Sequence, residues 1–272
     1  MIFNPTLQMA FAVSGYSALV LSIVVQTSGM SSGTYGWFKK GEFHYVHRTH
    51  LLTMLTTTVF STSVWTGLLI RYMFAYPHVI SLCMKLSSIG VAFYVFQVIW
   101  ASIREREQHG ENLGGKSYRL EVAEAIAQGS KLDEIKKPQR HKEKVFIDWR
   151  IYGWIFLGTL LNVTTAVGIG ELVCSHLIKY YRSATKTSIA VGTLMQAVSV
   201  ITQTIFILIF LRDLLILDLA CIGILFCAIG GRLAPSILTY RHIEPYVKYF
   251  LAFAALSMGG VSSFMVLATV IG

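Results

Sequence analysis

Charge is what this sequence has least of. Asp, Glu, Lys and Arg make up only 14% of its 272 residues, against 54% hydrophobic residues. A water-soluble fold has no means of hiding so much apolar surface, so the composition excludes an ordinary globular domain. Other absences narrow the field. There is no Ser-His-Asp order, no phosphate loop and no paired-carboxylate spacing, so neither an enzyme nor a cofactor is expected. The four cysteines (Cys83, Cys174, Cys221, Cys227) form no Cys-x-x-Cys pair, and they assign neither a metal nor a redox compartment. The first 38 residues lack a basic n-region and an Ala-x-Ala-like cleavage site, and they read as mature protein.

What is present is long apolar runs, at a mean hydropathy of +0.59. A spanning helix takes about 20 mostly apolar residues, because the hydrocarbon layer is about 30 Å thick. Seven stretches qualify: 6–29, 49–70, 78–103, 151–170, 187–211, 214–231 and 246–271. Lys85 in the third lies near enough to one end for its ammonium to reach the headgroups. The sixth is short and carries Asp218 near its start. The expected fold is an all-α integral membrane protein, multi-pass, with about seven transmembrane helices in two related halves that carry broken or re-entrant segments.

Nine of the 14 acidic and eleven of the 23 basic residues fall between Arg104 and Arg150. This polar segment, 104–150, joins the first membrane half, 1–103, to the second, 151–272. Its residues around Tyr118 to Ala127 suit a short surface helix, and Gly129 and Pro138 then mark a linker. The net charge of +9 is dispersed at helix ends and in this mixed loop. That pattern fits anionic lipid headgroups or an anionic substrate rather than nucleic acid. Trp37, Trp149 and Trp154 stand at span edges, where amphipathic rings prefer to sit.

The two halves share a plan. Ser28-Gly29-Met30-Ser31-Ser32-Gly33 precedes Arg48-Thr49-His50 by about twenty residues, and Val167-Gly168-Ile169-Gly170-Glu171 precedes Lys186-Thr187-Ser188 at similar distance. One reading is an apolar helix that breaks at small residues, followed by a helix that begins with Thr or Ser. Such breaks are tolerated at membrane depth only where protein or a water-filled cavity satisfies the freed backbone groups. Helix N-termini there would offer N–H groups to an anion. The candidate contacts are Gly29, Ser31, Ser32, Thr49, His50, Gly168, Gly170, Glu171, Thr187 and Ser188, with Arg48 and Lys186 raising the local potential. The other reading is that the glycines serve close helix packing.

Four stretches carry a family resemblance: Val167-Gly168-Ile169-Gly170-Glu171-Leu172, Ala184-Thr185-Lys186-Thr187-Ser188, Ile229-Gly230-Gly231-Arg232-Leu233-Ala234, and Phe250-Leu251-Ala252-Phe253 through Met258-Gly259-Gly260-Val261. In order and spacing they resemble the second half of the sulfite exporter TauE/SafE family. That resemblance implies an all-helical permease of two repeats, each with a glycine-rich motif, moving sulfur-containing anions such as sulfite or organosulfonates. Where the family favours a glycine run and then a proline, this chain has Gly170-Glu171-Leu172-Val173 and Ser31-Ser32-Gly33. The alternative is therefore a non-transporting accessory subunit of a larger membrane complex, built on a degenerate form of the fold.

Glu171 has three readings: a buried carboxylate that exchanges a proton, a helix cap, or a partner of Lys179 or Arg182. His44, His47 and His50 stand three apart. On one helix that spacing fans them over roughly 120°, and they read as interfacial rather than metal-ligating. A homo-oligomer or membrane-complex partners are compatible with all of this.

Overall fold

The computed structural model describes residues 14–80, parts of 82–100, 149–166, 168–181, 185–237 and 253. Every element among them is helical: α1 (Gly15–Lys39), α2 (Arg48–Met73), α3 (Arg150–Thr165), α4 (Ile169–Tyr181), α5 (Thr185–Phe210) and α6 (Leu217–Ile237). Short 3₁₀ turns at Glu42–Tyr45 and Arg212–Leu214 punctuate the chain. The described residues between 77 and 100 are helical as well, opening on Pro77, a residue suited to a first helical turn. Three helices, Arg48–Met73, Lys186–Phe210 and Leu217–Ile237, are long and apolar enough to cross a membrane.

The second and fifth apolar runs coincide with α2 and α5. Others differ. The first run does not end at Gly29, because α1 continues unbroken through Gly29, Ser31 and Ser32 to Lys39. Its start is capped by the Ser14 hydroxyl, which accepts from Ser17 N at 3.2 Å. It stops where Gly41 takes a left-handed conformation at φ 71°, the usual way a helix is closed. The fourth run, 151–170, is two helices, separated where Ala166 (φ 59°) and Gly168 (φ 139°) turn the chain back. The sixth extends to Ile237, past Pro235 inside the helix. The seventh run, Lys85, the TauE/SafE-like stretches beyond Ala234 other than Phe253, and the surface helix of the linker lie outside the described residues.

Side-chain pairings give the helix directions. Thr58–Met195 and Thr62–Ser199 are both separated by 137 residues, so α2 and α5 run parallel. Ser28–Ile224 and Ser32–Ala228 are both separated by 196, so α1 and α6 also run parallel. Gln26 meets Gln196 while Gly33 meets Thr193, which makes α1 antiparallel to α5. Gly170 meets Gln196 while Cys174 meets Gly192, which makes α4 antiparallel to α5 too.

These directions gather the C-termini of α1, α4 and α6 with the N-termini of α2, α3 and α5. Lys39, Lys40, Arg48, Arg150, Lys186 and Arg232 all stand at this basic end. The reversal at Ala166–Gly168 is what brings Lys186 to the same end as Lys39, Lys40 and Arg48.

Two apolar clusters stack along the bundle. One, at the basic end, centres on Met54, Ile151, Ile155, Ile169, Val173, Val191 and Met195. The other, toward the far end, holds Leu19, Val20, Ile23, Met73, Ile207 and Leu211. Outside them the bundle wears an apolar coat: only 6% of the most apolar window of α6 is buried, leaving Leu217, Leu225, Phe226 and Ile229 outward. A patch of that extent is not left in water.

Along the α1–α6 seam, backbones meet at small residues. A Cβ on Gly29 would lie 3.1 Å from Cys227 O, one on Gly36 2.8 Å from Pro235 Cγ, and one on Gly231 would overlap Gly29 O. Ser28 and Ser32 donate across the seam to Ile224 O at 3.0 Å and Ala228 O at 2.7 Å. Between apolar helices such close approach and hydroxyl bonding supply the association that the hydrophobic effect supplies in water. Close packing is therefore the role the structure gives Gly29 and Ser32.

Candidate functional site

α3 and α4 form a hairpin that enters from the basic end and returns to it. Gly158 faces Ile169 and Leu172, while Leu161 faces Gly168, so the two arms lie side by side. The tip meets α5 around Gln196 and Ser199, near the middle of that 26-residue helix. At the tip the chain turns only because Ala166 and Gly168 accept positive φ. A Cβ at Gly168 would meet Leu161 Cβ at 2.9 Å, so the position suits glycine on two counts.

Three backbone N–H groups at the turn are met from within the chain. Gly168 N–H donates to Glu171 Oε2 at 3.1 Å, and Gly170 N–H donates to Gln196 Oε1 at 3.2 Å. That first bond has the geometry of the helix-cap reading of Glu171, a carboxylate at the positive end of α4; Arg182 and the side chain of Lys179, its other candidate partners, lie outside the described residues. Ala166 N–H closes the C-terminus of α3 on Asn162 O at 2.8 Å.

Behind the tip lies an uncharged polar layer between the two apolar clusters. Gln196 Nε2 donates to Asn162 Oδ1 at 2.5 Å and reaches Gln26 Oε1 at 3.4 Å. Asn162 Nδ2 donates to Ser199 Oγ at 2.8 Å, which pairs with Thr62 Oγ1 at 3.0 Å. Gln203 Nε2 also donates to Ser199 Oγ, at 3.3 Å. Asn162, Thr62 and Ser199 are fully buried. Buried amides and hydroxyls are stable there only as a connected set, so the layer fixes how α2, α3 and α5 register on one another.

The sequence-derived candidates separate into three places. Gly168, Gly170 and Glu171 meet at the tip. Gly29, Ser31 and Ser32 lie on continuous α1, with Gly29 and Ser32 against α6. Thr49 and His50 begin α2 and Thr187 and Ser188 begin α5, side by side at the basic end. Nine residues separate Thr187 from Gln196, about 13 Å along the axis at 1.5 Å per residue. The two Thr-led N-termini are thus parallel neighbours rather than opposed across a midplane site. Asn162, Gln196, Ser199 and Thr62 are tip-layer residues that the sequence reading passed over. Part of the signal was there: Gln196, Ser199 and Gln203 recur at helical spacing in a run whose other polar residues are threonines and one serine.

At the basic end, Thr187 Oγ1 donates to Glu42 Oε2 at 3.0 Å, tying the 3₁₀ turn to α5. Lys40, which donates to Pro235 O, has its pKa held below the usual lysine range by lost hydration and by Lys186, with Glu42 opposing. His44 lies in the 3₁₀ turn, and the rings of His47 and His50 stand 5.7 Å apart, edge to face. Thr187→Val is expected to cost about 1.5 kcal/mol, the low end for a hydrogen bond to a charged acceptor, because this one is only partly buried. A thermal-midpoint measurement against Thr49→Val, an exposed threonine on the neighbouring N-terminus, checks it.

Comparison with protein-family models, with curated proteins and with solved structures finds no match to this chain.

Proposed function

We propose that this chain is a multi-pass membrane permease for a small anion, with its substrate site at the tip of the α3–α4 hairpin. The observation that carries the reading is the hairpin itself, two half-length helices that turn back at mid-depth of α5 with a helix N-terminus at the turn. In a bilayer such irregular backbone occurs only against protein or a water-filled cavity, and half-helix N-termini at mid-depth are how transporters meet anionic groups. The apolar coat of α5 and α6 supports a lipid environment. The basic end then faces the inside by the positive-inside rule. Sulfite or an organosulfonate is the substrate class that the TauE/SafE resemblance implies.

Glu171 gives the proposal its sharpest consequence. Its carboxylate already occupies the place an anion would take at Gly168 N–H, so an incoming anion competes with it. Glu171→Gln removes the charge and keeps the shape. In detergent-purified protein, sulfite, sulfate, thiosulfate, sulfoacetate, taurine and chloride are titrated while the thermal midpoint is followed. One of them is expected to stabilise saturably, with apparent affinity on the order of tenfold tighter in Glu171→Gln, equivalent to about 1.4 kcal/mol. Saturable binding that is unchanged or weaker in Glu171→Gln would put the site elsewhere.

A second reading, the accessory subunit, has one observation in its favour. The N–H groups of Gly168 and Gly170 are satisfied by the chain's own side chains, as a purely structural hairpin requires. No midpoint shift with any anion in either protein, together with loss of stability outside a larger complex, would favour it.

A further inference from the structure

Because α1 and α6 run parallel, their last turns meet at the basic end, and there they share one tyrosine. Tyr35 on α1 holds a cation from each helix over its ring: Lys39 Nζ stands 5.1 Å from the centroid and Arg232 Cζ 4.5 Å. A ring face attracts cations, and this one gathers two like charges in one place. Among the described residues no carboxylate pairs with either of them. Glu42, three residues beyond Lys39, accepts from Thr187, and Asp218 stands at the opposite end of α6. Lys40 differs from its neighbour, because it donates to Pro235 O across the seam.

The pair of cations is open to the surroundings as well as uncompensated. Tyr35 is 51% exposed, and Lys39 and Arg232 are exposed with it. On α6, Leu225, Ile229 and Arg232 follow at steps of four and three residues, which puts them on one face. Leu225, Ile229 and their neighbours Phe226 and Leu233 are all exposed. An apolar column about 10 Å long therefore rises to two unpaired cations and a phenol that carries a donor of its own. Such a surface complements a molecule with a negative head and hydrocarbon chains, and basic residues at the edge of a span attract the anionic lipids of a leaflet.

We propose that Tyr35, Lys39 and Arg232 form a binding site for one anionic phospholipid, its phosphate between the two cations and its chains along the outer face of α6. A free phosphate would satisfy the cations alone; the apolar column beneath them is what commits the site to a lipid. This site requires the lipid environment proposed above, and it does not require an anion at the hairpin tip.

The detergent-purified full chain is titrated with phosphatidylglycerol, with phosphatidylcholine of the same chains and with glycerol phosphate, a headgroup without chains, while the thermal midpoint is followed. Phosphatidylglycerol alone is expected to stabilise saturably. Its apparent affinity should fall about fivefold in Arg232→Gln and again in Lys39→Gln, the worth of one basic residue at an anionic surface. It should not change in Arg71→Gln, the control, where an exposed arginine lies 5.7 Å from the ring of Tyr72 in the last turn of α2, away from the basic end. Equal stabilisation by the two lipids would overturn the site. So would an affinity untouched in both Arg232→Gln and Lys39→Gln, or weakened as much in Arg71→Gln. Glycerol phosphate acting as strongly as phosphatidylglycerol would overturn it in favour of a soluble phosphate. Protein that stays monodisperse without detergent would refute the lipid environment itself, and the site with it.

Discussion

Gly231→Val is expected to be the most damaging single change in the described part of the molecule, lowering stability by about 3 kcal/mol, the upper part of the overpacking range. The position has no room for any side chain. A Cβ there would overlap the carbonyl oxygen of Gly29 and come within 2.9 Å of its carbonyl carbon and 3.1 Å of its Cα. These are backbone atoms of a continuous helix, so they cannot rotate away. α1 and α6 would have to separate, and the bonds from Ser28 and Ser32 to the α6 carbonyls would lengthen with them. Gly230→Val is the control: it sits one residue earlier on the same helix and a Cβ there meets nothing within 4 Å. Thermal denaturation should find Gly230→Val near wild type and Gly231→Val strongly destabilised. Similar midpoints for the two would mean that the seam is not a close backbone contact.

The second large effect is expected at Asn162. Asn162→Leu removes the acceptor of Gln196 Nε2 and the donor to Ser199 Oγ, inside a layer with no solvent to replace them. One or more buried groups left unpaired costs about 2–3 kcal/mol. The hairpin should feel it too, because Gln196 in turn holds the Gly170 N–H. A double-mutant cycle with Ser199→Ala tests whether the layer acts as a unit. Residues in one hydrogen-bond network are expected to couple by about 1 kcal/mol, the double mutant losing less than the sum. Additive losses would mean that the amide and the hydroxyl contribute separately.

The helical, apolar character of the chain was legible from composition, and α2 and α5 from the length of their apolar runs. The reversal in α3–α4 was half legible. Glycines at 168 and 170 marked a break, but the hairpin also needs the positive φ of Ala166 beside that of Gly168, and nothing in an alanine announces that. The parallel pattern Ser28–Gly33 misled for a physical reason. Small residues in an apolar helix serve either a break or a close approach, and the choice is made by what lies opposite, here Gly231 and Cys227 nearly two hundred positions away. The polar layer was missed because single amides and hydroxyls in apolar runs carry meaning only once their partners on other helices are known.

The parallel pairing of α1 with α6 has a consequence for how the protein is made. Ser28 and the carbonyl that it meets are 196 residues apart, and at 5–20 residues per second the ribosome needs roughly 10 to 40 s to cover that distance. For that interval α1 exists with its small-residue face unmatched. A nascent chain interrupted before Leu217 carries an orphaned glycine-serine stripe that only a later segment can cover. Quality-control factors that survey newly made helices therefore have a defined window and a defined surface on which to act.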